Sequence, residues 1–222
     1  LLVVRRAGAN LTLWRAVRAI GPTTQGWCAM DAESALERLG GTATAGALLE
    51  LTTRRKLRRA VKRGLLEQPT RGRYVLPTVS TARREAERLT AVIGLRSAAA
   101  AHGWELKEQP EQPELIVRRG RKIPDETRGE VSLHWMNLAE DQVVDGVTTP
   151  LRTIIDCARS LPFDEALAIA DSALRHGSVT REELDSIEVR GAGADAVRRV
   201  LRHADGRAAN PFESVLRALC IE

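Results

Sequence analysis

GGTATAGALLELTTRRKLRRAVKRGLLEQPTRGRYVLP, Gly40 to Pro77, decides how the N-terminal part of this chain folds. Leu57, Ala60, Val61 and Gly64 fall at i, i+3, i+4 and i+7, so they share one face of a helix. Arg54, Arg55, Arg58, Arg59 and Lys62 lie outside that stripe. Thr52 or Thr53 can cap the start, and Gly64 suits the left-handed position that ends a helix. After Gly64 the period changes. Leu65 to Gln68 and Arg73 to Leu76 read as strands around a turn at Pro69, Thr70, Arg71 and Gly72. Upstream, Asp31 can cap a helix with the stripe Ala32, Ala35, Leu36 and Leu39, and Thr44 can cap a second carrying Leu48 and Leu49. Three helices followed by a two-stranded hairpin make a winged helix-turn-helix pattern. From Thr52 to Arg73 there are nine Lys or Arg and one acid, Glu67, a local net charge of +8. A helix sized for the major groove beside a basic hairpin points to duplex DNA. The plainer alternative is a solvated basic helix on an ordinary core.

The rest of the chain bounds the function further. In 222 residues, 43% are apolar and only 3% aromatic, so Leu, Val, Ile and Ala must fill the core. Base-stacking platforms are scarce, which argues against a dedicated single-strand or RNA binder. The net charge of +5 is uneven. Residues 1–29 carry four Arg and no acid, and residues 30–77 carry ten bases and five acids. Residues 78–222 carry twenty bases and twenty-four acids. Cys28, Cys157 and Cys220 are far apart, with no metal-ligand spacing and no disulfide framework, which fits a reducing cytoplasm. No apolar run is long enough to span a membrane. Residues 1–29 are expected to be a leader outside the native fold: an over-called upstream start or an appended segment, with Leu11, Trp14, Val17 and Arg18 able to form a short amphipathic stripe.

Residues 81–103 read as a helix carrying Leu89, Val92 and Ile93, a break near Gly94, and a second helix to His102. Leu115 to Val117 reads as a strand, Arg118 to Lys122 as a basic turn, and Glu130 to Trp135 as a returning strand, giving a hairpin or split sheet. His102 and His134 stand alone and read as boundary or strand residues rather than ligands. Thr149 and Pro150 open a helix with the stripe Leu151, Ile154, Ile155 and Ala158. Another runs from Asp164 to His176 and stops at Gly177. Thr180 with Glu183 forms a capping box, and Val179 with Leu184 a hydrophobic staple. A helix over Asp195 to Ala204 follows, and Asn210, Pro211 and Glu213 start a last one. The expected class is α+β, mainly helical. A winged helix-turn-helix over 30–77 precedes a small mixed α/β middle domain over 78–205 and C-terminal helical residues 206–222.

These segments resemble a known arrangement. Gly40 to Pro77 resembles the winged helix of AbiEi-type antitoxins from type IV toxin–antitoxin systems. DGVTTPLRTIIDCARSLPFDEALAIADSALRHGSVTREEL, Asp145 to Leu184, resembles the middle region of actinobacterial-type proteins that join this winged helix to a nuclease-like domain. NPFESVLRALCIE, Asn210 to Glu222, resembles the opening helix of that Vsr-like PD-(D/E)XK fold. The resemblance implies a cytoplasmic bacterial protein that binds duplex DNA in its own promoter and neutralises a nucleotidyltransferase-like toxin. It implies recognition-helix contacts from Arg54, Arg55, Arg58, Arg59 and Lys62 and wing contacts from Arg71 and Arg73, beside the cap position Thr53. A PD-(D/E)XK site needs an acid from its first helix, then an Asp and an Asp/Glu-x-Lys on later strands. Only Glu213 stands at such a place, and as the third helical residue after Asn210 it reads rather as a capping carboxylate than as a metal ligand. No enzyme activity, catalytic residue, metal or cofactor is therefore expected of the chain as it stands. The competing readings are the remnant or fragment of a metal-dependent DNA endonuclease, and a protein-interaction module whose basic helix meets an acidic partner. Oligomeric state is left open.

Overall fold

The computed structural model describes residues 29–221. The expectations for residues 1–28, including the Leu11 to Arg18 stripe, lie outside them.

The N-terminal unit begins with α1 (Ala32–Arg38), β1 (Thr42–Thr44) and α2 (Ala45–Leu51). It continues through α3 (Arg54–Lys62), β2 (Glu67–Thr70) and β3 (Arg73–Val75). The cap residues read from sequence make their bonds. Asp31 Oδ1 accepts from Ser34 N at 3.0 Å, and Thr44 Oγ1 from Ala47 N at 3.3 Å. Those bonds satisfy amide donors that a helix start otherwise leaves open. The Ser34 bond also holds the Asp31 carboxyl below its usual range. Leu36, Leu48, Leu57, Leu66 and Val75 form the core beneath the three helices. The three strands make an antiparallel sheet of order β1-β3-β2. This is a winged helix-turn-helix fold.

The sheet has one strand more than the sequence suggests. Thr42, Ala43 and Thr44 pair with Val75, Tyr74 and Arg73, a contact about thirty residues long-range that local pattern cannot reveal. The hairpin turn is also tighter. Pro69 and Thr70 belong to β2, and only Arg71 and Gly72 turn, with Gly72 at φ 79°. The ladder is irregular between Glu67 and Thr70, where Pro69 has no N–H to give.

Next come α4 (Thr81–Leu89), β4 (Val92–Ile93), α5 (Leu95–Ala101), β5 (Glu114–Val117), α6 (Asp125–Arg128) and β6 (Ser132–Trp135). A hairpin follows, β7 (Val143–Val144) and β8 (Val147–Thr148). These strands form a second sheet, order β6-β5-β4-β8-β7. Two sequence expectations are corrected here. Val92 and Ile93 are strand, not helix: Thr90 turns left-handed at φ 49° and ends α4, and the β-branched pair then joins the sheet. β5 and β6 run parallel, not as a returning hairpin, because residues 118–131 and α6 carry the chain back across. Successive β5 residues serve two cores. Leu115 and Val117 pack with Leu89 and Ile93, while Ile116 packs with Leu95 and Ile154 on the opposite face.

Helices α7 (Pro150–Ser160), α8 (Phe163–Arg175), α9 (Arg181–Asp185), α10 (Ala194–His203) and α11 (Pro211–Ile221) complete the fold. Every residue from Ala166 to Ala173 is buried, so α8 is the hub of this layer. The capping box forms as expected, Thr180 N to Glu183 Oε2 at 2.8 Å and Glu183 N to Thr180 Oγ1 at 3.2 Å, and the staple residues Val179 and Leu184 are buried. Helix α11 joins this layer. It packs along α8, and Arg217 NH1 reaches the buried Asp171 Oδ2 at 2.7 Å.

Gly94 sits at the close approach of β4 and β5. A Cβ there would lie 2.4 Å from Ile116 Cδ1 and 2.6 Å from its Cγ1, and Ile116 is buried. Gly94→Ala is expected to destabilise the fold by about 1–3 kcal/mol, read as a lower urea midpoint at unchanged m value. A midpoint equal to that of the unaltered protein would show that Ile116 has room to move aside.

Candidate nucleic-acid interface

Helix α3 is built to show cations on one side. Thr53 is its cap, with Oγ1 accepting from Lys56 N at 3.3 Å. Thr52 is spent elsewhere, its hydroxyl donating to Met30 O at 2.7 Å. The other end closes through Gly64, at φ 73°, with Gly64 N to Val61 O at 3.0 Å and Leu65 N to Ala60 O at 3.0 Å. Leu57 and Ala60 are buried and Val61 half-buried against the core. That orientation fixes the rest of the helix. Arg55, Arg59 and Lys62 stand opposite the stripe at i, i+4 and i+7. Arg54 and Arg58 line one flank, and Arg63 closes the other.

Arg54, Arg55, Arg58, Arg59, Lys62 and Arg63 are all exposed, and none has a side-chain partner among the described residues. Many arginines elsewhere are paired: Arg73, Arg84, Arg88, Arg96, Arg128, Arg152, Arg175, Arg181, Arg198, Arg207 and Arg217 each meet a carboxylate. Crowded unpaired cations repel one another, so this face costs folding energy unless an anion meets it. Lys56 differs from its neighbours. Its ammonium donates to the carbonyls of Ala29 and Met30 and ties the segment before α1 to α3.

At the wing, Arg71 is exposed at the tip, without a partner among the described residues. Arg73 is not free. Its guanidinium pairs with Glu87 of α4 at 2.7 Å, with the Glu87 side chain only 12% exposed, so the position expected to contact DNA serves as an internal bolt. Glu67 of β2 makes a second bolt, to Arg84 at 2.8 Å, and Arg83 Nη2 donates to Thr42 Oγ1 of β1 at 2.9 Å. Of the two wing arginines, Arg73 is paired with Glu87 and Arg71 is not, and Arg63, which directly follows Lys62 in the basic run, joins the exposed cations. Of the expected set, the structure brings Thr53, Arg54, Arg55, Arg58, Arg59 and Lys62 together on α3 and puts Arg71 at the wing tip.

The other expected candidates resolve into structural parts. Glu213 Oε2 accepts from Ala209 N at 2.7 Å, and Asn210 Oδ1 accepts from Glu213 N at 3.1 Å, a reciprocal cap on α11. His102 closes α5, with Nε2 2.8 Å from Thr148 O. His134 lies in β6, with Nε2 3.3 Å from Ser132 Oγ. Burial pushes both imidazoles below their usual pKa. Cys157 is buried, which pushes its thiol up, and Cys220 is exposed. No group of three or more His, Cys, Asp or Glu is arranged for a metal ion among the described residues. Nor is any helix there long and apolar enough to cross a membrane.

No protein-family model matches the chain. The uncharacterized proteins Rv2248 and MT2308 of two Mycobacterium tuberculosis strains, H37Rv and CDC 1551, are each 40% identical to it over 78 residues. The match covers 34% of this chain and 29% of theirs. Among solved structures, that of the RV2827C protein from Mycobacterium tuberculosis is similar with a TM-score of 0.43 and 14% identity, over 83% of this chain and 78% of that one.

Proposed function

We propose that this protein is a sequence-specific double-stranded DNA-binding regulator of the AbiEi antitoxin type, acting on its own promoter. One observation carries the reading: α3 and its C-cap Arg63 hold six exposed cations with no partner among the described residues, next to a wing whose tip carries Arg71. In this reading α3 enters the major groove. Arg55, Arg59 and Lys62, at the centre of the outer face, reach base edges, and a guanidinium can donate in parallel to guanine O6 and N7. Arg54, Arg58, Arg63 and Arg71 lie to the sides and meet phosphates, which set position rather than sequence. Neutralisation of a nucleotidyltransferase-like toxin follows from the family resemblance, and the middle domain and C-terminal helices are the surface available for it. Glu213 already serves as the α11 cap, so the nuclease-remnant reading gains nothing from it.

The test is a gel-shift titration of the purified protein on the duplex upstream of its gene, beside a shuffled duplex of the same composition. The upstream duplex should bind at least tenfold tighter. Equal affinity for both would reduce the protein to a non-specific binder, and no retention of either at low salt would refute duplex binding.

A further inference from the structure

Residues 118–122, Arg-Arg-Gly-Arg-Lys, put four bases into one turn of a part of the chain whose acids outnumber its bases. The turn is held on both sides. Arg121 N bonds Arg118 O at 3.0 Å, and Gly120 takes φ 86°. The Arg121 guanidinium donates to Thr90 O at 2.8 Å, and Trp135 Nε1 donates to Arg121 O at 2.8 Å. Arg128 lies over the Trp135 ring at 5.6 Å. What this frame presents is Arg118, Arg119 and Lys122, all exposed and none with a side-chain partner among the described residues.

Its position gives the charge a use. Thr90 ends α4, and Glu87, the partner of wing residue Arg73, is three residues earlier on the same helix. At about 1.5 Å rise per residue, those two anchor points lie roughly 5 Å apart along the helix axis. The basic turn is thus bolted beside the wing, well within one turn of duplex, about 34 Å. Arg121 holds the turn to α4, and Arg73 and Arg84 hold the wing to the same helix.

We propose that the 118–122 turn is a second contact for the DNA backbone. Arg118, Arg119 and Lys122 neutralise phosphates on the flank of the duplex that α3 reads, so the bound site extends past the winged helix. This rests on the duplex-binding reading above. A partner that is a regular array of phosphates suits three unpaired cations held on one turn, and contact here adds affinity without sequence preference.

The experiment compares the full chain with Arg118→Gln/Arg119→Gln/Lys122→Gln and with Arg118→Lys/Arg119→Lys. The readouts are fluorescence anisotropy on the upstream duplex at several salt concentrations and hydroxyl-radical footprinting. The triple Gln protein should lose about 0.9 of salt slope per lost contact, up to about 2.7. Its footprint should shorten on one flank only, and its preference for the upstream over the shuffled duplex should persist. The Lys variant, which keeps the charge, should match the unaltered protein. An unaltered slope and footprint in the triple Gln protein, with the duplex still bound, would overturn the second contact alone. Loss of preference for the upstream duplex would overturn it as well, since a backbone contact reads no bases. Failure of the unaltered protein to bind either duplex would remove the reading on which it rests.

Discussion

Replacing Arg55, Arg58 and Arg59 with alanine is expected to weaken binding to the upstream duplex by orders of magnitude at moderate salt. The expectation has two sources. Each lost phosphate neutralisation removes about 0.9 from the slope of log K against log salt, and each lost base contact costs about 1–3 kcal/mol. The fold should be unaffected. The three side chains are exposed and make no bond to the described protein, and surface changes of that kind stay within about 0.5 kcal/mol. Relief of mutual repulsion can even raise the melting temperature slightly. The same substitutions in an ordinary solvated helix would leave DNA affinity and slope as they were, and that outcome would return α3 to the plainer reading.

The second large effect belongs to stability. Asp171 is fully buried on the hub helix, and each of its oxygens accepts a hydrogen bond from another element. Its Oδ2 meets Arg217 of α11 at 2.7 Å, its Oδ1 accepts from Asp205 N at 2.6 Å, and the Arg217 guanidinium in turn bonds His203 O. One carboxylate therefore joins α8, the loop after α10, and α11. Burial pushes its pKa up against the pull of the Asp205 amide and Arg217. Asp171→Ala removes the acceptor from a buried amide and a guanidinium that is only 30% exposed, and should cost about 3 kcal/mol. Asp171→Asn keeps the shape and one acceptor oxygen but turns an NH2 donor toward the Asp205 amide or the Arg217 guanidinium, so it should recover only part of that loss. Urea unfolding of the two variants checks this, with DNA affinity expected to be unchanged in both. A small loss in Asp171→Ala would show that α11 is held by its apolar contacts with α8 alone.

What the sequence revealed depended on how local the cause was. Asp31, Thr44, Thr53, Thr180 with Glu183, and Asn210 with Glu213 act within three or four residues, and each cap forms where the pattern places it. Gly64 and Gly177 end their helices for an equally local reason, a left-handed φ that glycine takes without strain. Pairings between distant segments were not legible. β1 is three residues of Thr-Ala-Thr that mean nothing until β3 lies beside them. Val92 and Ile93 form a strand too short to show a period, and the parallel pairing of β5 with β6 depends on the crossover between them. One local signal was present and unread. Asp145 and Gly146, both at positive φ, turn the β7–β8 hairpin between Val144 and Val147, as an Asp-Gly pair flanked by β-branched residues invites. In the candidate interface the same division holds. The outward face of α3 follows from its own apolar stripe, whereas the pairing of Arg73 with Glu87 depends on a helix that holds its partner fourteen residues further on.

The central claim is that α3 lies in the major groove of duplex DNA with its outward arginines on base edges. Dimethyl sulfate protection on the upstream duplex tests it most directly, because the reagent methylates guanine N7 in that groove, the atom a recognition arginine covers. A short cluster of protected guanines is expected with the unaltered protein, and loss of that cluster at concentrations where the Arg55, Arg58 and Arg59 triple alanine variant still binds through its remaining cations. Full occupancy of the duplex with every guanine N7 still reactive would contradict it.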